Sequence, residues 1–158
     1  MIRIVGFLAT ILTGLALVAP GAHLFELPNK IGLAENQYFI VQGIYQGWWM
    51  VGLALPAALL ANLGLAIATR HQDRSAFWLA LAAAALLAAN LVIFFIWTQP
   101  ANAATANWTT RPENWQALRQ QWEHSHAVNA GVTFLAFCVA TLASLRASAW
   151  GATRTSTA

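Results

Sequence analysis

Long apolar runs alternate with short polar interruptions along this chain. The first run extends from Ile4 to about Ala22. The second, Asn36 to Thr69, contains no Asp, Glu, Lys or Arg, and the third, Ser75 to Gln99, is ended by Pro100. The fourth, about Ala127 to Leu145, continues a helix that begins near Thr110. A helix needs about 20 predominantly apolar residues to cross ~30 Å of hydrocarbon at ~1.5 Å per residue. The runs are separated by Glu26–Glu35, by the turn Arg70–Arg74 and by the polar stretch Pro100–Asn114. This pattern predicts an all-α fold, a four-transmembrane-helix up-down-up-down bundle forming a single integral membrane domain over 1–158. The expected helices are about 2–28, 36–69, 75–99 and 110–147, with a tail over 148–158.

Local signals mark the segment ends. Thr110-Arg-Pro-Glu113 matches a capping box with Pro112 in the first turn, and Ser75 is placed to cap the third helix. Pro20 and Pro56 fall inside apolar runs and should kink them. The first segment reads better as a span than as a cleaved signal peptide, because Pro20 follows Ala19 directly and spoils the small-residue cleavage pattern.

Composition fixes the solvent. Of the 158 residues, 59% are hydrophobic and 8% charged, and the mean hydropathy is +0.57, whereas a soluble domain carries roughly a quarter charged residues. These values exclude disorder, a soluble catalytic domain and, with Cys138 the single cysteine, a disulfide scaffold. The partners expected are a lipid bilayer, a hydrophobic small molecule and a second copy of the chain in a homo-oligomer. Nucleic acid is rejected because the basic residues are scattered. With a cytoplasmic N-terminus, Arg3, Arg70, Arg74, Arg146 and Arg154 lie inside and Lys30, Arg111 and Arg119 outside. That favours N- and C-termini in the cytoplasm and a plasma or inner membrane location.

Continuous helices over 36–69 and 110–147 would reach on the order of 50 Å, so the second and fourth helices are expected to extend beyond the outer membrane interface. Polar and aromatic groups collect at that same end. His23, Glu26 and Asn29 close the first helix, and Gln37, Gln42, Tyr45 and Gln46 open the second. Trp97, Gln99 and Asn102 end the third, and Trp115, Arg119, Trp122, Glu123 and His126 open the fourth. Polar groups in or near hydrocarbon usually face the bundle interior and often mark function.

The spacing of these residues leaves two chemistries open. His23 and Glu26, three apart, give H-x-x-E, and Glu123 and His126 give E-x-x-H. Facing each other, the two pairs could bind a single transition metal. Equally, Arg119 and Glu123 at i,i+4 could be a simple ion pair, and the tryptophans an aromatic belt at the interface. Other chemistries fail on inventory. The only aspartate, Asp73, sits in the opposite turn, Cys138 is mid-span, and neither a phosphate-binding Gly-rich loop nor C-x-x-C occurs. Asn107-Trp-Thr109 is a glycosylation sequon by pattern alone. Gly14, Gly21, Gly43, Gly47 and Gly52 are expected to permit close helix packing.

Asn102, followed by Trp115-x-x-Leu118-Arg119-x-x-Trp122-Glu123-x-x-His126, resembles the small four-helix membrane proteins of the anthrone oxygenase-like family. Gly21-Ala-His-Leu-Phe-Glu26-Leu-Pro28 is similar to that family's ending of helix one. The resemblance implies oxidation of an electron-rich polycyclic phenol to a quinone by O₂, without a required cofactor. In that chemistry His126 or His23 would be the base, Arg119 the oxyanion partner and Glu123 or Glu26 the orienter of an imidazole. Trp115, Trp122, Tyr45 and Trp97, with Gln42, Asn102 and Asn29, would line the substrate site. The resulting expectation is a membrane oxidoreductase acting on a hydrophobic aromatic or quinone-type molecule. The alternatives are a metal-binding membrane protein using His23, Glu26, Glu123 and His126, and a non-enzymatic accessory subunit.

Overall fold

The computed structural model describes residues 2–155, with side chains described to Ala149, and is all-helical over those residues. The 156–158 end of the expected tail and the side chain of Arg154 fall outside the described residues. Helix α1 covers Ile2–Lys30, α2 Glu35–Gln42, α3 Trp49–Gly52, α4 Ala54–Thr69, α5 Arg74–Ile93, α6 Gln99–Ala104 and α7 Trp115–Thr155. A 3₁₀ turn, Gly43–Tyr45, follows α2, and a π-helical turn, Phe94–Thr98, joins α5 to α6. Four stretches are long and apolar enough to cross a membrane: Ile2–Lys30, Trp49–Thr69, Arg74–Ala104 and Trp115–Ala149. In the bundle, α1 packs against α4 and α7, and α5 against α4 and α7.

The interior is built from small residues. Ala9, Ala58, Ala80, Ala83, Ala136, Ala140 and Ala143 are fully buried, while Phe7, Ile11, Val18, Leu60 and Phe134 are exposed on the outside. That inversion suits lipid as solvent, where helices associate by close backbone approach and interhelical hydrogen bonds rather than by hiding large apolar groups. Asn62 Nδ2 donates to Thr13 Oγ1 at 3.0 Å, and Thr10 Oγ1 donates to Ser144 Oγ at 3.0 Å. Asn90 Nδ2 donates to Thr133 Oγ1, tying α5 to α7.

Several expected boundaries move. The run 36–69 is not one helix: it breaks over Gln46–Trp48, where Gly47 takes φ +88°, a left-handed conformation costly for any other residue. Pro56 lies in the first turn of α4, just after the interruption at Leu53 that divides the span Trp49–Thr69 into α3 and α4. Pro100 does not end the third span. Lacking an N–H and crowding the carbonyl four residues back, it follows the π turn, whose wider loop absorbs the defect, and α6 carries on to Ala104. The α5 cap is Asp73 rather than Ser75: its Oδ1 accepts the N–H groups of Ser75 at 2.8 Å and Ala76 at 3.0 Å. The capping box at Thr110–Glu113 does not form, because the Thr110 N–H is bonded to Thr105 O and α7 begins at Trp115. At the chain ends, α1 runs on through Pro28 to Lys30, and helix continues over 148–155 where a tail was expected. Of the glycines, Gly14 meets Phe137 at 3.3 Å, but a Cβ at Gly43 or Gly52 would touch nothing within 4 Å, so these two are not packing glycines.

Candidate functional site

The end of α1, the broken second segment, the π turn with α6, and the start of α7 surround a cavity of about 820 Å³. His23 and His126 meet on its wall with ring centroids 4.3 Å apart. Position 23 lies two turns before the end of α1 and position 126 three turns into α7, and both side chains turn inward. His23 is boxed by rings: Tyr45 at 4.4 Å, Trp122 at 4.7 Å and Trp48 at 5.7 Å. His126 is partly accessible, touches the Trp122 ring at 4.3 Å, and makes no hydrogen bond among the described residues.

Trp122 separates this cavity from a buried charge cluster. Its Nε1 donates to Asn102 Oδ1 at 2.7 Å, and because an indole N–H can only donate, the Asn102 amide is oriented with its NH₂ left over as a donor. On its other side the Lys30 ammonium sits 4.7 Å from the ring centroid. Lys30, 2% exposed, lies 3.1 Å from Glu123 Oε1 and 3.6 Å from Glu26 Oε2, and donates to Tyr45 Oη at 2.8 Å. Tyr45 Oη in turn donates to Glu26 Oε2. Glu123, 1% exposed, also accepts from Tyr38 Oη at 2.9 Å, and Gln42 Nε2 donates to Tyr38 Oη at 2.8 Å. Burial first, and the Glu123 carboxylate beside it, push the Tyr38 phenol well above its usual range, so Tyr38 stays a donor.

Of the expected site residues, His23, His126, Trp122, Tyr45, Gln42 and Asn102 line the cavity together. Glu123 lies behind Trp122 and serves the charge cluster. Arg119 is not an oxyanion donor to the cavity: its Nη1 donates to Leu33 O at 2.7 Å and its guanidinium stacks 4.7 Å from the Trp115 centroid. Nor does Arg119 pair with Glu123, whose cation is Lys30. Trp115 does not line the cavity; it packs with Tyr38 and Phe39 in the aromatic cluster behind the wall, which Trp108 and Trp122 join to the cavity. Trp97 is not part of the cavity wall, and its carbonyl accepts from Gln121. Glu26 and Asn29 border a second, shallower groove of about 380 Å³ with Lys30.

The metal set His23, Glu26, Glu123 and His126 is not assembled. Among the described residues no group of three or more His, Cys, Asp or Glu side chains could hold an ion. The physical reason is Lys30, whose ammonium occupies the place between the two carboxylates where a cation would sit.

Sequence reasoning placed Lys30 among the outside charges, yet it closes the cluster. The signal was available: 23, 26 and 30 recur at steps of three and four, one face of a helix. Tyr38 and Gln42, four apart, show the same register. Nothing in the spacing pointed to Trp48, Trp108 or Phe94 on the cavity wall, because these lie where helical periodicity fails.

The roof of the cavity is a turn in which Ala106, Asn107 and Trp108 take φ +47°, +57° and +64° in succession. For Ala106 and Trp108 that conformation costs roughly 1–2 kcal/mol each, and less for Asn107, a residue type that enters it more readily. The turn is held by Thr105 Oγ1, which accepts the Trp108 N–H at 3.1 Å, and by Trp108 buried against Tyr38, Phe39 and Trp122. Backbone strain of this kind concentrates at functional sites. Comparison of the chain with protein-family models, with curated proteins and with solved structures finds no match.

Proposed function

We propose that this protein is an integral membrane oxidoreductase that binds a flat, hydrophobic aromatic or quinone-type molecule in the cavity and oxidises it with O₂. The observation that carries the proposal is His126, an imidazole that makes no hydrogen bond among the described residues and is partly accessible on the wall of an aromatic-lined cavity of about 820 Å³. A volume in that range suits a whole small-molecule ligand. The resemblance of the Trp115–His126 segment to anthrone oxygenase-like proteins belongs to the same proposal, with an anthrone as the reference substrate.

On such a substrate His126 takes a proton from the methylene carbon, and the charge spreads through the rings onto the carbonyl oxygen. The free N–H of the Asn102 amide, held in register by Trp122, replaces Arg119 as the donor for that oxyanion. The carbanion passes one electron to O₂, the carbon radical and superoxide join, and the peroxide takes up a proton. Loss of water removes the second hydrogen of that carbon and breaks the O–O bond. Anthrone and O₂ thus give quinone and water. Trp122, Trp48 and Tyr45 supply ring faces and edges for the substrate. His23, with Nδ1 3.9 Å from Glu26 Oε2, backs His126.

In the same proposal the four spans run up-down-up-down in a plasma or inner membrane with both termini cytoplasmic, so the cavity lies at the outer end. Helix α7, 41 residues long, then extends past the interface. The test is turnover of an anthrone in air by the protein in lipid nanodiscs, followed as quinone absorbance. His126→Gln is expected to slow it about 10²-fold or more without moving the melting temperature. Lack of turnover of any anthrone, hydroquinone or naphthol, or an unchanged rate in His126→Gln, overturns the proposal.

A further inference from the structure

The cavity has a side wall made of α3, which follows the Gln46–Trp48 break, and of the Phe94–Thr98 π turn, and among the described residues no packed interface joins them. On one edge α3, following the left-handed Gly47, packs on α1 and α4. On the other the Phe94–Thr98 π turn packs on α5, α6 and α7. Both edges line the cavity. Their outer side chains are bare and apolar: Trp49 is 71% exposed, Phe95 63% and Ile96 73%. At Gly52, on the α3 edge, a Cβ would meet nothing within 4 Å.

We infer that the cavity opens sideways into the bilayer between α3 and the π turn, and that its ligand is a membrane-dissolved flat molecule passing through this mouth from the lipid. The inference rests on the cavity being the ligand site of the proposed function, but not on any redox step. Three observations converge on it. A gap flanked by exposed Trp49, Phe95 and Ile96 in a chain of this hydropathy faces hydrocarbon, not water. The π turn and the Gln46–Trp48 break that precedes α3 both depart from regular helix, and irregular backbone at membrane depth is tolerated where it lines a cavity. The roof on the adjoining side is pinned by the buried Trp108 indole and the Thr105 hydroxyl, so it is the better-closed face. Gly52 leaves the mouth without a side chain, which a helix former at that position would otherwise narrow.

The test places a thiol on the cavity wall, Ala19→Cys, in a Cys138→Ser background, in lipid nanodiscs. The probe is N-(1-pyrenyl)maleimide dissolved in the lipid, and labelling rates are normalised to a lipid-facing cysteine introduced by Phe7→Cys. The reporter is expected to label from the lipid. Gly52→Phe, whose ring would project into open space at the mouth, is expected to slow labelling tenfold or more, while Gly52→Ala stays within threefold. Thr109→Trp, bulking the roof, is expected to stay within twofold. Melting temperatures check that each variant is folded. No labelling of Ala19→Cys, an effect of Gly52→Phe below twofold in a folded protein, or a larger effect of Thr109→Trp than of Gly52→Phe overturns the inference. Because labelling is independent of O₂ and of His126, a failed mouth leaves the turnover assay intact, and failed turnover leaves the mouth intact.

Discussion

Lys30→Met is the sharpest probe of the charge cluster, because it removes a cation that is 2% exposed while keeping a side chain of similar length. The substitution deletes the contact to Glu123 at 3.1 Å, the contact to Glu26 at 3.6 Å and the hydrogen bond to Tyr45 at 2.8 Å. These losses differ in size. Glu26 is about one-third exposed, so its share is at most about 1 kcal/mol, and the Tyr45 bond contributes about as much. Glu123 is sealed and would keep only the Tyr38 hydroxyl, and leaving one member of a buried pair without its partner costs about 3–5 kcal/mol. The expected total is dominated by that step and corresponds to at least a roughly 100-fold shift in the folding equilibrium. Glu123→Gln alone should also destabilise. The double variant should recover about 2 kcal/mol or more relative to the sum, since the carboxamide introduced by Glu123→Gln can still accept from Tyr38 and no buried charge is stranded. Reversible unfolding in mixed detergent–lipid micelles, run as a double-mutant cycle, measures these values. A cost of Lys30→Met below about 1 kcal/mol, or additivity of the two changes, would refute the view that Lys30 and Glu123 are one buried unit.

Two further outcomes follow from single contacts. Asp73→Ala should destabilise by about 1 kcal/mol through loss of the α5 cap, whereas Ser75→Ala should change stability by a few tenths at most, read from the same unfolding curves. Tyr38 sets a pH dependence: its phenol is raised above the ordinary value of 10.0, so below pH 10 both folded and unfolded chains hold the proton and nothing changes. Above pH 10 the unfolded chain ionises first and stability falls. The advantage of wild type over Tyr38→Phe should therefore shrink from pH 10 upward, and parallel stability curves would contradict this.

The helices were legible wherever one physical rule governed a whole segment. Lipid demands about 20 apolar residues per crossing, and the four runs announced themselves because no charge interrupts them. The polar end was legible for the same reason, since a histidine or glutamate at such a position is costly enough to stand out. What stayed hidden depended on contacts between segments. Arg119 and Glu123 fit an intrahelical ion pair by spacing, yet Lys30, arriving from α1 on the same face as His23 and Glu26, takes Glu123 instead. Its burial could not be read from Lys30 alone, because a lysine after a span is ordinarily a flanking charge in water. The break at Gly47 and the π turn before Pro100 were hidden differently: both lie inside charge-free runs, where hydropathy is blind to backbone geometry. Those two irregularities hold the cavity walls apart, while the regular helices bring the polar groups together. A regular second helix would place Trp48 and Trp49 one after the other on a continuous cylinder. The break instead puts Trp48 against the His23 ring and leaves Trp49 facing outward. Restoring regular helix at this one point, for example with Gly47→Ala, would therefore alter the site while leaving the four apolar crossings intact.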